Sequence, residues 1–119
     1  MNVLTRVHPA AENARAKFYA DTVAEVRSAV ESNKVVVVGM GWNPNVGRAR
    51  RILDEKKVPH TYLGYGNYVS GWKKRLAIKL WSGWPTFPQV FVNGVLVGGC
   101  SDMQALIASG EFDRILAER

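Results

Sequence analysis

The dipeptide Asn93-Gly94, set between Gln89-Val90-Phe91-Val92 and Val95-Leu96-Val97, constrains this chain more than any other feature. A two-residue hairpin turn needs positive φ at its central residues, which asparagine and glycine adopt at little cost, while β-branched and aromatic neighbours favour strands. An antiparallel hairpin is therefore expected in the last third of the chain. Gly98-Gly99 ends its second arm, and Ser101 with Gln104 three residues later predicts a capping box for a final helix, with Leu106, Phe112, Ile115 and Leu116 on its apolar side.

The rest of the chain supplies a second unit. Val35-Val36-Val37-Val38 is a short β-branched run that reads as a fully buried strand. Asn43-Pro44 follows, a strong N-cap residue before the residue favoured at the first helical position, so a helix is predicted from there with Val46, Ala49 and Leu53 inward. His60 to Leu63 is a plausible second strand. A strand–helix–strand unit implies two parallel strands with a right-handed crossover. Before it, residues from about Ala10 to Ser32 read as one helix with Tyr19, Val23, Val26 and Val30 on a stripe. After it, Val69 to Trp81 reads as a helix with Trp72, Leu76 and Leu80 on its stripe. The economical arrangement is a four-stranded mixed sheet, Val35–Val38 central, with helices on both faces.

Composition narrows the function classes. With 119 residues and 47% apolar content the chain makes one domain with a real core. A single cysteine excludes an internal disulfide framework and a cysteine-cluster metal site, and His8 and His60 lie far apart without ligand-like spacing, so no metal site is expected. No stretch approaches the ~20 apolar residues of a membrane span, and MNVLTRVHPA has no apolar core for a signal peptide, so a cytoplasmic setting and no membrane partner are expected. The net charge is +6, concentrated in residues 34–79 with ten basic and two acidic side chains. Such a balance suggests an anionic partner or a solvated helix surface; no nucleic-acid-binding motif is present, and no nucleic-acid partner is expected.

The segment WPTFPQVFVNGVLVGGC at Trp84–Cys100, followed by an acidic helix start and SGEFDRIL, closely resembles monothiol glutaredoxins. The resemblance extends back through Arg75 to Val35–Val38. It implies a thioredoxin-like α/β fold over residues 34–119, preceded by an N-terminal helical extension at 1–33. It also implies a glutathione groove. By that resemblance Arg75 meets the glycine carboxylate of the tripeptide, Phe87 pairs its backbone with the cysteinyl unit, Pro88 is a cis-proline, and Gly99, Cys100, Ser101 and Asp102 receive the γ-glutamyl end.

The sequence departs from the family where the chemistry sits. Glutaredoxins carry a nucleophilic cysteine between the first strand and the next helix, as CGFS or CPYC; here the tetrad is Asn43-Pro44-Asn45-Val46. A thiolate there gains from the helix N-terminus, whereas an asparagine can cap the helix but cannot attack a disulfide. The lysine that usually precedes the loop aligns with Met40. Trp42 stands where an aromatic often precedes the catalytic cysteine, and with Met40 is a candidate to line or fill the groove.

Each site residue also has a plainer reading. Asn43 caps a helix, Arg75 belongs to the cationic run Lys73-Lys74-Arg75, Ser101 and Asp102 complement a helix start, and Cys100 is a small residue in a glycine turn. Three functions follow as expectations: a glutaredoxin-like binder of glutathione or a glutathionylated, anionic partner that lacks turnover; a redox protein that uses Cys100 with glutathione, provided Cys100 is exposed and faces the groove; and an interaction module for BolA-type or iron–sulfur assembly partners. With Asn43 in place of the ligand cysteine, no bridged iron–sulfur cluster is expected.

Overall fold

A computed structural model describes residues 6–118; residues 1–5 of the expected N-terminal extension and Arg119 lie outside the described residues. The elements are α1 (Pro9–Lys17), α2 (Ala20–Ser32), β1 (Val35–Gly39), α3 (Pro44–Glu55), β2 (Thr61–Gly64), α4 (Trp72–Ser82), β3 (Gln89–Val92), β4 (Val95–Gly98), α5 (Cys100–Ser109) and α6 (Glu111–Leu116). They form one four-stranded sheet in the order β2-β1-β3-β4. β1 pairs parallel with β2, Val36 opposite Thr61, and antiparallel with β3, Val36 opposite Phe91. β3 and β4 form the expected hairpin, with Asn93 at φ 48° and Gly94 at φ 80°. These are the left-handed torsions a type I′ turn demands.

The central strand is buried on both sides, as its unbroken valine run requires. Val35 and Val37 join Val90, Val92, Leu53, Met103 and Phe112 in the core beneath α3, α5 and α6. Val36 and Val38 join Phe91, Ile78, Val26 and Val30 in a second core beneath α2 and α4. The hairpin turn is anchored to the far helix: Asn93 Nδ2 donates to the carbonyls of Ile115 at 2.7 Å and Leu116 at 2.9 Å. These bonds tie the turn to the last carbonyls of α6, of which Ile115 also accepts from the Glu118 N–H at 3.1 Å.

Four expectations need correction. The single helix over Ala10–Ser32 is two, broken at Tyr19, whose backbone is left-handed at φ 48° and ψ 41°. α1 buries no side chain, so nothing holds it in line with α2, and the Phe18 and Tyr19 rings meet edge-on at 5.0 Å in the break. Of the expected stripe only Val26 and Val30 are buried, with Thr22 beside them. The final helix is likewise two, interrupted at Gly110, where φ of 85° ends α5. Its cap is not Ser101 with Gln104: the helix starts two residues earlier, from Gly99, and the Gly99 N–H donates to Asp102 Oδ2 at 2.9 Å.

The fourth correction concerns α4. It starts at Trp72 rather than Val69, and its inward residues are Arg75, Ala77 and Ile78. The expected inner stripe points out: Trp72 is 55%, Leu76 36% and Leu80 68% exposed. Arg75 is only 7% exposed, and its Nη1 donates to the carbonyls of Tyr65 at 2.9 Å and Ser70 at 2.8 Å. It is therefore no member of a solvated cationic run. Two charge-assisted bonds, one to the Tyr65 carbonyl and one to a Ser70 carbonyl that also accepts from the Asn67 N–H at 3.0 Å, outweigh the burial of Trp72, and they set the rotation of the helix.

Candidate functional site

The chain reverses direction at three places on one end of the sheet: after β1, before β3 and after β4. A cavity of about 530 Å³ opens among them. Asn43, Arg75, Phe87, Pro88, Gly99, Cys100, Ser101 and Asp102 all line it, so these eight candidate residues come to one place. The volume lies within the ~300–1,000 Å³ typical of small-molecule sites.

The first wall is the start of α3. Asn43 caps it, Oδ1 accepting from the Asn45 N–H at 2.9 Å, as the Asn-Pro pair predicts. Its other arm crosses the groove: Nδ2 donates to the carbonyl of Phe87 at 3.2 Å. Phe87 precedes Pro88 through a cis peptide, in agreement with the resemblance. Asn43 is thus a strut between two walls, with both halves of its amide engaged. Met40 lines the groove as an apolar, buried side chain, but Trp42 neither lines nor fills it, correcting its candidacy: at φ 64° it projects into solvent.

The second wall is the start of α5. Gly98 has φ of 106°, and a Cβ there would stand 2.8 Å from the Asp102 carboxylate. Glycine is needed for β4 to turn directly into α5 and for Asp102 to fold back on Gly99. The first intrahelical bond runs from Met103 N–H to the Gly99 carbonyl at 3.0 Å. The N–H groups of Cys100, Ser101 and Asp102 precede it and so have no intrahelical acceptor, a natural place for a carboxylate. Ser101 and Asp102 are exposed there.

Cys100 lies in this wall but is only 5% exposed, its thiol reaching Gln104 Oε1 at 3.9 Å. Burial pushes its pKa up, against a smaller downward pull from Arg48. The helix start favours thiolate, yet desolvation wins. The exposed thiol that a Cys100-based redox reading requires is not met. A bridged iron–sulfur cluster takes its protein ligands from thiolates; Asn43 offers none and the only cysteine is buried, so the residues present do not fit one.

The third wall is α4 with the loop before it. Among the described residues no partner takes Arg75 Nη2, so the guanidinium keeps donors on the cavity it lines. Lys79, one turn further along, adds a second cation, its Nζ 5.7 Å from the centre of the Phe87 ring. Sequence reasoning missed Lys79, although its i, i+4 spacing from Arg75 places it on the same face. It also missed Tyr68 at the rim. The site therefore presents two cations at one end, free N–H groups with a carboxylate at the other, and an asparagine between them.

The glutaredoxin family model matches residues 44–97. A glutaredoxin-like protein of Dictyostelium discoideum is 44% identical over 100 residues, covering 84% of this chain and 81% of that one. The chain belongs to the glutaredoxin family. A probable monothiol glutaredoxin 2 of Rickettsia prowazekii is 33% identical over 98 residues, covering 78% of this chain and 89% of its own. Among solved structures, a buckwheat glutaredoxin–glutathione complex superposes with a TM-score of 0.76 at 22% identity, over 86% of this chain and 93% of that one, and shows the shared fold. This glutaredoxin has the family's fold, a cavity lined by Asn43 at the start of α3, and Cys100 as its single cysteine.

Proposed function

We propose that this protein holds glutathione, or the glutathione moiety of a modified and anionic partner, without thiol–disulfide turnover. One observation carries the reading. The groove has a cationic end at Arg75 and Lys79 and a helix-start end at Ser101 and Asp102, but Asn43 stands between them with both amide groups engaged. Glutathione carries a lone carboxylate at its glycine end and an ammonium with a carboxylate at its γ-glutamyl end. The cations suit the first; the N–H groups of α5 and the Asp102 carboxylate suit the second pair. Disulfide exchange needs an attacking thiolate, which an amide cannot supply.

The test is a titration with reduced glutathione followed by NMR, alongside a glutathione-coupled disulfide reduction assay. Binding is expected in the millimolar range, about one charge-assisted contact weaker than a groove that also carries a lysine at position 40. Shifts should map to Lys79, Phe87 and Asp102, and reductase activity should stay at background. Arg75 also supports the preceding loop, so Lys79→Ala is the cleaner groove variant; it should weaken binding severalfold, and Lys57→Ala should leave it unchanged. Shifts that avoid these residues, or no shifts at millimolar ligand, would overturn the reading. Robust turnover would overturn the claim of no exchange.

A further inference from the structure

Five of the eight large hydrophobic side chains exposed among the described residues lie between Tyr68 and Leu80. Trp72, Leu76 and Leu80 recur at i, i+4 and i+8, a continuous ridge along the outer face of α4, with Tyr68 and Val69 just before it. Apolar residues scattered singly on a surface need no explanation, but a contiguous ridge marks an interaction site. Beside Leu80 the ridge borders a recess of about 720 Å³ between α4 and the α1–α2 bend, with Phe18, Val23 and Trp81 in its walls.

Charge identifies the occupant. The sequence of α4, WKKRLAIKLWS, contains no acidic residue, and Lys73 is exposed beside the ridge. Arg15 and Arg27 line the recess, with the Arg27 guanidinium 6.0 Å from the Trp81 ring centre. Of the acidic groups nearby, Glu12 is paired with Arg15 at 2.6 Å, Glu25 accepts from the Tyr65 hydroxyl, and Asp21 shares a separate recess with Lys74. A second copy of this chain, itself at +6, would set like charges against each other across this face. A flat bilayer would meet the ridge but leave the recess beside it empty. A helix fits both.

We propose that the outer face of α4 and its recess dock an acidic, amphipathic helix of a partner protein. Its apolar side chains lie against Trp72, Leu76 and Leu80, and its carboxylates beside Lys73 and Arg27. Tyr68 belongs to both the ridge and the rim of the groove, so a partner seated on α4 has its neighbouring chain at the groove mouth. The docking does not depend on glutathione binding.

The probe is a fluorescein-labelled peptide of about 18 residues, long enough to hold a helix, with leucines along one face and glutamates on both flanks. Its anisotropy is titrated with the full chain. Saturable binding is expected, falling by roughly tenfold or more when the same residues are permuted off one face, and by a similar factor in Leu80→Glu. Leu80 is largely exposed, so this variant should keep its thermal melt and its glutathione titration, which separates failure of the docking face from failure of the groove. Equal affinity for the permuted peptide would reduce the effect to bulk charge attraction and overturn the proposal. So would peptide binding unaffected by Leu80→Glu. Sedimentation showing a dimer that Leu80→Glu dissolves would assign the face to a second copy. Phosphatidylserine vesicles that bind where the peptide does not would assign it to a bilayer. Either result overturns the proposal.

Discussion

The helices α3 and α4 flank the same sheet from opposite sides, and only one of them faces the way its sequence suggests. α3 has one apolar stripe, Val46, Ala49 and Leu53 with Ile52 at its edge, on a helix otherwise rich in arginine, and the three stripe residues are buried. α4 has two stripes, Trp72-Leu76-Leu80 and Ala77-Ile78-Trp81, set around the helix from one another. The smaller set goes inward together with Arg75. A 3.6-residue period identifies a helix, but it identifies the buried face only when there is a single apolar face to choose. In α4 the choice falls to an arginine whose bonds are made to a loop outside the helix.

The sharpest contrast comes from α3. Leu53 is fully buried among Val35, Val37 and Phe112. Leu53→Ala should cost about 3 kcal/mol or more through lost transfer energy and the cavity left behind. For a chain of this length the melting temperature should fall by about 10 °C or more, as read by circular dichroism. A shift of one or two degrees would mean that α3 does not anchor the core beneath it.

Arg75 tests the other side of the comparison. Arg75→Ala leaves the Tyr65 carbonyl without its donor, while the Ser70 carbonyl keeps the Asn67 N–H at 3.0 Å. A stranded acceptor costs about 1–3 kcal/mol, so a loss in that range is expected in urea unfolding. Hydrogen exchange should also accelerate across residues 65–71. A loss below about 1 kcal/mol would show that the rotation of α4 is set by Ala77 and Ile78 instead.

These two helices also mark how far the sequence could be read. The hairpin, the crossover, the central strand and the helix after Asn43 were all legible, because each rests on a local signal: turn torsions, a β-branched run, a cap. The eight candidate site residues converge because the resemblance carried their positions. Features set by distant partners were not legible. The bend at Tyr19 arises because α1 has nothing to pack on. The start of α5 at Gly99 depends on Asp102 reaching back past a glycine in a positive-φ conformation. The outward turn of Trp42 and the ridge on α4 are decided by backbone torsion and a buried guanidinium, and neither leaves a periodic trace.

Asn43 permits a finer division, because its two bonds do different jobs. Serine caps helices as well as asparagine does but is too short to reach the Phe87 carbonyl. Asn43→Ser should therefore remove the strut alone, at about 0.5–1.5 kcal/mol. Asn43→Ala removes the cap as well, adding about 1 kcal/mol. Equal losses in the two variants, measured by chemical denaturation, would show that the cross-groove bond contributes nothing and that Asn43 is only a cap.

The smallest expected effect is the one that most directly separates the two helices. Leu80 has the same side chain as Leu53 and lies on an equally regular helix, but it stands on the outer stripe, with most of its surface in water. Leu80→Ser removes no buried methylene from either core. Serine has a somewhat lower helix propensity than leucine, and loss of contacts at the edge of the recess adds little. The net change should stay within about 0.5 kcal/mol, as for other surface substitutions. The same substitution should improve solubility, because it breaks the apolar ridge near its end. A destabilisation approaching that of Leu53→Ala would mean that Leu80 is covered by part of this chain in solution. The outer stripe of α4 would then be core rather than interface, and the comparison between the two helices would collapse.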